Sequence, residues 1–291
     1  MHPPDGLDIR ARPATLLKVQ SMRQLLSRNG LEIVDVHCTE RRGDSDTIDH
    51  AVTRGIVFVR RGCFVRRSEG PEALLDPTAA YSTNPGEEQQ FAHPHADGDD
   101  CTLIGLDEDL AASLWGDATL PSAALSVPPD LDLGHRHLLA GARRGEDADQ
   151  LVERAIALLV AAIDQIDDRR SIAGRPATVR ARRALVDGAR EALAADHGQA
   201  TLPELARALS TSPYHLSRLF HASTGTTISR HRMRLRTRAA LERLAQGERD
   251  LARVAADLGF ADQSHLCRVI RGETGQTPSA LRHALATPST L

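Results

Sequence analysis

Two textures divide the 291 residues. Between about 31 and 106 the apolar positions come in short β-branched runs, "LEIVDVHC" and "GIVFVRRGCFVRR", followed by "CTLIGL". Such runs, bounded by Gly, Pro and Asp, predict strands. The stretch between them, "DPTAAYSTNPGEEQQFAHPHADGDD", reads as turn-rich. Strands of this length and punctuation predict an antiparallel β-barrel or sandwich of the cupin or jelly-roll kind. Near residue 107 the apolar period lengthens to that of helix. "DEDLAASLWG" is a short helix opened by acids, and longer patterns follow at 132–144 and 147–168. In the last of these, Leu151, Ile156, Leu158, Leu159, Ala162, Ile163 and Ile166 form a wide apolar stripe, opposed by Glu153, Arg154 and Asp164. A stripe that wide can cover the barrel or pair with a second copy. A homodimer through 132–168 is the expectation carried forward.

Residues 1–30 read as a tail that could hold a helix, and 31–170 as the barrel with its helices. The charged, Gly- and Pro-containing "DDRRSIAGRPATVRARR" supplies a linker at 171–177. From 178 to 291 everything reads as short helices: 178–196, 202–209, 213–222, 227–246, 251–258, 263–272 and 278–285. The expected class is therefore α+β, a cupin-like barrel with following helices joined to an all-α domain.

The helical half writes a single segment twice. "SPYHLSRLF" at 212–220 returns as "DQSHLCRVI" at 262–270, each followed by Thr-Gly at the same distance, Thr224-Gly225 and Thr274-Gly275. In the first copy Leu205, Ala206 and Leu209 form the inner face of one helix, with Ser212 as N-cap and Pro213 at the first position of the next. Leu216, Leu219 and Phe220 then fall inward at i, i+3 and i+4, leaving Tyr214, Ser217, Arg218 and His221 outward. In the second copy Val254, Ala255 and Leu258 are inner and Asp262 is the cap. Leu266, Val269 and Ile270 fall inward there, and Gln263, Ser264, Cys267, Arg268 and Arg271 outward. Each copy is a helix-turn-helix. Arg, Ser, Gln and Tyr at a helix N-terminus are what major-groove readout uses, and Arg bonds guanine bidentately. An isolated Arg on such a face is more often simply solvated; two matching copies favour DNA.

Charge sharpens this. Residues 178–291 hold 17 Arg against 10 Asp and Glu, while the remaining 177 residues hold 19 Lys and Arg against 29 acids. A basic third joined to an acidic remainder suggests that only the former meets a polyanion. The connector "TISRHRMRLRTRAALERLAQG" reads as one long helix whose Arg230, Arg232, Arg234, Arg236 and Arg238 would neutralise phosphates. Two reading helices on a rigid connector would enter successive major-groove segments about 34 Å apart.

These residues resemble the AraC/XylS transcription regulators over about 105 C-terminal residues. The likeness runs through "LARALSTSPYHLSRLFHASTGTTISRHRMRLRTRAALERL" and "VAADLGFADQSHLCRVIRGETGQTPSALR", with Gly-Phe-x-Asp at 259–262, Gly-x-Thr-Pro at 275–278 and Leu281-Arg282 in place. Departures are Leu266 and Ile270 where Phe is frequent, and His231 where Tyr is common. The resemblance implies Tyr214, Ser217, Arg218, Gln263, Ser264 and Arg268 as base-reading residues, promoter DNA as partner, and a cupin-like sensing domain with dimerisation helices ahead of the reader. A transcription regulator, an activator among the readings, would have RNA polymerase as a further partner.

What the first half senses is open at this stage. Its richest stretch, "AHPHADGDDC", gives His93, His95 and Cys101, with His37, Cys38 and His50 on earlier segments. Rings at His93 and His95 on one face, with Cys101 and Cys38 as thiolates, would suit a zinc-like metal. The spacing fits no standard zinc pattern, and small core-filling Cys residues are the commoner case. An organic effector in the barrel or protein-only regulation stand beside the metal. No acid–base constellation marks an enzyme, and a cupin-type metal-dependent enzyme fused to a DNA reader is the rival reading. The start "MHPPDGLDIRARP" has no apolar core and no window approaches 18 apolar residues, so a cytoplasmic protein without membrane contact is expected, its four Cys residues thiols.

Overall fold

The run "GIVFVRR" is apolar at nearly every position because its strand is covered on both faces. In the computed structural model, which describes residues 20–39, 43–44, 48–69, 72–95, 98–116, 119–165 and 176–286, this run lies in β5 (Arg54–Arg61). Ile56 and Phe58 face a layer of helices, and Val57 and Val59 face a second sheet.

The first sheet contains β1 (Gln20–Arg28), β2 (Leu31–Cys38), β10 (Asp99–Leu106), β5, β8 (Ala79–Thr83) and β11 (Ala124–Ser126), paired in that order. The second pairs β3 (Gly43–Asp44), β9 (Glu88–His93), β6 (Phe64–Ser68) and β7 (Ala73–Leu75), with β4 (Asp49–His50) also on β9. Every pairing is antiparallel. Val57, Val59, Phe64, Leu75, Tyr81 and Cys101 form the core between the sheets. Two expectations are corrected. Residues 20–28, read as part of a tail, form an edge strand, and the stretch read as turn-rich contains β8 and β9.

The helices α1 (Glu108–Trp115), α2 (Pro129–Arg144) and α3 (Ala148–Ile163) follow. Asp107 and Asp147 cap α1 and α3, accepting from the backbone N–H of Leu110 and Gln150. Leu151, Leu158, Leu159 and Ala162 of α3, with Leu131, Leu138 and Ala142 of α2, close over Ile33, Ile56, Phe58 and Ile104. The stripe expected as a dimer surface is thus largely used within the chain, and of the large apolar residues of α3 only Val160 stays strongly exposed, at 46%. Ile166 and the linker centre lie outside the described residues.

The C-terminal helices are α4 (Pro176–Ala195), α5 (Leu202–Ala208), α6 (Pro213–Thr224), α7 (Ile228–Ala245), α8 (Leu251–Asp257), α9 (Gln263–Thr274) and α10 (Pro278–Leu285). Two separate cores serve the two copies of the repeat. Val186, Leu193, Leu205, Leu216 and Phe220 build one. Leu241, Val254, Leu258, Leu266, Ile270 and Leu281 build the other, joined by Ala140 and Leu133 of α2. Helix α2 is therefore shared between the two-sheet half and the helical half.

A buried ionic seam completes that junction. Asp35 and Arg60 of the first sheet pair with each other, and Arg60 also reaches Glu242 of α7 at 3.8 Å. Glu242 takes Arg136 of α2 at 3.0 Å, and Asp132 takes the same Arg136 at 3.0 Å and Arg238 of α7 at 3.7 Å. On the other side Asp76, in the β7–β8 turn, binds Arg190 of α4 at 2.7 Å, with His231 of α7 at 3.6 Å.

Candidate nucleic-acid interface

The repeated sequence is repeated geometry. Just past the end of α5 stands Ser210 at φ 50°, and just past the end of α8 stands Gly259 at φ 70°. In both, the following residue turns its N–H back, Thr211 to Ala206 at 2.9 Å and Phe260 to Ala255 at 2.9 Å. Ser212 and Asp262 then cap α6 and α9 by accepting from the N–H of His215 and His265. At the far ends Thr224 and Thr274 donate to Phe220 and Ile270, and each hydroxyl takes the N–H two residues on. Gly225 and Gly275, at φ 71° and 72°, make the left-handed step that such an ending needs. The Thr-Gly echo is this lock.

Both frames present the outer faces read from the sequence. Tyr214 is 71% exposed, and Arg218, Gln263, Ser264 and Arg268 are exposed, with Ser217 and Cys267 half-buried. The Arg218 guanidinium lies 5.6 Å from the centre of the Tyr214 ring and donates to its hydroxyl at 3.2 Å. The two histidines of the echo differ in role. His265 accepts from the Ala261 N–H at 3.3 Å and sets its ring edge on Phe260, so it braces the turn. His215 is exposed at the equivalent place.

The connector arginines differ from expectation. Arg238 is 3% exposed, donates to the Val127 carbonyl and lies by Asp132, so it belongs to the junction and offers nothing to phosphate. Arg236 donates to the carbonyls of Gly198 and Gly259, and Arg232 to those of Gly198 and Gln199. Arg236 thereby ties the entry of the first unit to the turn of the second. Arg234 is half-buried, and Arg230 alone of the five is exposed.

Sequence reasoning placed His93, His95, Cys38 and Cys101 together in the first half; the structure pairs Cys38 with His93 and brings Cys101 in through Asp99. The Cys38 Sγ lies 3.8 Å from His93 Nε2, and Asp99 Oδ1 lies 2.9 Å from the same nitrogen. Cys101 Sγ donates to Asp99 Oδ2 at 3.4 Å. His95 stands apart, half-exposed, with Glu191 at 3.7 Å. Asp99 is the member the sequence reading missed, since an Asp beside Gly98 looks like turn chemistry. Its signal was strand register, for Asp99 sits directly opposite Cys38. Burial opposes the imidazolium form of His93, yet its contacts with Asp99 and Cys38 raise its pKa to about 10. Burial and the nearby Asp99 push the Cys101 thiol well up. His93, Asp99 and Cys101 also line a cavity of about 160 Å³ between the sheets, walled by Val57, Phe64, Tyr81 and Phe91.

Comparison with known proteins bears on the helical half. A helix-turn-helix domain family matches residues 205–284. The chain is 35% identical over 74 residues to the regulatory protein SoxS of Salmonella typhimurium, covering 25% of this chain and 69% of that protein. It is 32% identical over 82 residues to the bifunctional transcriptional activator/DNA repair enzyme AdaA of Bacillus subtilis, covering 28% of this chain. The match spans only 39% of the length of AdaA. Among solved structures, ToxT of Vibrio cholerae aligns over 90% of this chain and 99% of its own, at 11% identity and a TM-score of 0.36. Among the described residues no helix is long and apolar enough to cross a membrane.

Proposed function

The chain belongs to the AraC family of transcription regulators, and from that premise we propose that it binds promoter DNA sequence-specifically under control of a signal received in the barrel. The observation that carries this is the pair of identically locked helix-turn-helix frames, each offering an exposed arginine beside small polar groups at the start of its second helix. Tyr214, Ser217 and Arg218 read one groove segment, and Gln263, Ser264 and Arg268 the next. Arg230 supplies phosphate contact. The protein acts by binding and catalyses nothing. Its cavity, walled by aliphatic and aromatic side chains with His93, Asp99 and Cys101 at one side, suits a small effector. The seam from Asp35 to Arg238 supports coupling, since a ligand favouring one arrangement of the barrel shifts the reader that leans on it. Promoter-bound, the chain would meet RNA polymerase. A homodimer through these helices would meet on the face that α3 leaves outward around Val160.

Arg218→Ala is expected to cost about 1–3 kcal/mol on the cognate site and to relax the preference for one base pair. Competition binding against cognate and random duplexes checks it. Equal losses on both would remove Arg218 from the reading set.

A further inference from the structure

We propose that Cys38, His93 and Asp99 form a binding centre for a zinc-class divalent metal ion, with the fourth coordination position facing the barrel cavity. The Cys38 sulfur, an imidazole nitrogen of His93 and a carboxylate oxygen of Asp99 lie within 4.8 Å of one another. All three residues are at most 5% exposed. Their meeting is no accident of one loop. Cys38 ends β2, Asp99 opens β10 opposite it, and His93 ends β9 of the facing sheet. The approach of β10 to β2 is tight. A Cβ on Gly98 would stand 2.1 Å from the Cys38 carbonyl oxygen, so only glycine fits.

The atoms converge as ligands do. Cys38 Sγ and Asp99 Oδ1 both approach the single nitrogen His93 Nε2. A single ring nitrogen has one bonding direction and cannot align on both, whereas a cation placed among the three could be bonded by every one. Two anionic donors would balance a 2+ charge, in a place where unpaired anions are costly. The donor set chooses the class. Calcium and magnesium require mostly oxygen, while sulfur with imidazole and one carboxylate suits zinc and its neighbours, zinc sites taking four ligands. Because His93, Asp99 and Cys101 line the cavity, the open position is reachable from it, and Cys101 stands beside it. Such an ion would bolt the two sheets together and place a ligand-exchanging position where an effector enters.

The test uses the full chain, purified without a histidine tag, stripped with chelator and titrated with zinc chloride in the absence of DNA. Expected are about one bound zinc per chain, a raised thermal midpoint, and, with cobalt in place of zinc, a thiolate-to-metal absorption band. Cys38→Ser should abolish the band and weaken zinc at least about a hundredfold, as should Asp99→Asn, which keeps the side-chain shape. Cys267→Ser, in α9 of the helical half and remote from the cluster, should bind like the parent. Absence of stoichiometric zinc, a cobalt complex without the thiolate band, or unchanged binding in both Cys38→Ser and Asp99→Asn would overturn the proposal. None of these readings depends on DNA recognition.

Discussion

Replacing Arg190 by alanine is expected to destabilise the folded chain by about 3 kcal/mol, as buried ion pairs do when one partner is removed. Asp76 is wholly buried in the β7–β8 turn, and Arg190 reaches its Oδ2 through Nε at 2.9 Å and Nη2 at 2.7 Å. Burial alone would raise the Asp76 carboxyl; Arg190 foremost among its partners brings it down to about 2. Without Arg190 the carboxylate keeps its bonds from the Thr78 N–H and hydroxyl, at 2.7 and 2.6 Å. Arg190 is itself 17% exposed. Those two facts place the cost at the lower end of the range for such pairs. The loss falls on the junction, because Arg190 also donates to the Leu74 carbonyl and so fastens α4 to the second sheet. Denaturant titration followed separately in each half should show the helical domain releasing first. Asp76→Ala combined with Arg190→Ala should lose less than the two single losses added. Simple additivity, or a single-variant loss below about 0.5 kcal/mol, a value typical of surface positions, would show that the pair does not hold the halves together.

How much of this was legible in the sequence depends on the distance over which each residue finds its partner. The reading helices were legible because their signals are local: Ser212 and Asp262 as caps, and inward Leu216 and Leu266 at helical spacing. Strands β2 and β5 were legible for the same reason, being β-branched and buried. Strand β8 was not, since "AAYST" offers small residues and little alternation, and pairing with β5 decides it. Asp99 joins Cys38 only through register between strands some sixty residues apart in the chain. The basic run of the connector misleads for a reason that helical geometry supplies. Arginines two apart on a helix step by about 200°, so the five divide into Arg230, Arg234 and Arg238 on one face and Arg232 and Arg236 on the other. Along the first face burial grows from Arg230 to Arg238, because the Val127 carbonyl and Asp132 are brought against Arg238 by tertiary packing.

Acid is expected to loosen the protein between about pH 6.5 and 4, through two buried histidines held neutral. His231, 3% exposed, has its pKa pushed down to about 4 by burial, which outweighs Asp76, with Arg190, Arg238 and Arg234 adding to the push. His135, stacked on Phe58 at 4.6 Å, is pushed to about 3 by burial, against Asp132 and with Arg136, Arg60 and Arg143. Both folded values lie below the unfolded value of 6.5. As pH falls below 6.5 the unfolded chain takes up protons that the folded chain refuses, so stability present at pH 7 drains away on acidification. For His231 the loss is on the order of 3 kcal/mol by pH 4. His231→Gln should flatten the slope of stability against pH by close to one proton across that window, read from denaturant midpoints at several pH values. An unchanged slope would remove His231 from the account. The same site gives a sharper outcome in combination. Removing Arg190 takes away a positive neighbour and leaves Asp76 as the charge facing His231, so the imidazole should then protonate more readily. The deficit of Arg190→Ala relative to the parent should therefore shrink from pH 7 to pH 5, as a protonated His231 takes over the pairing with Asp76.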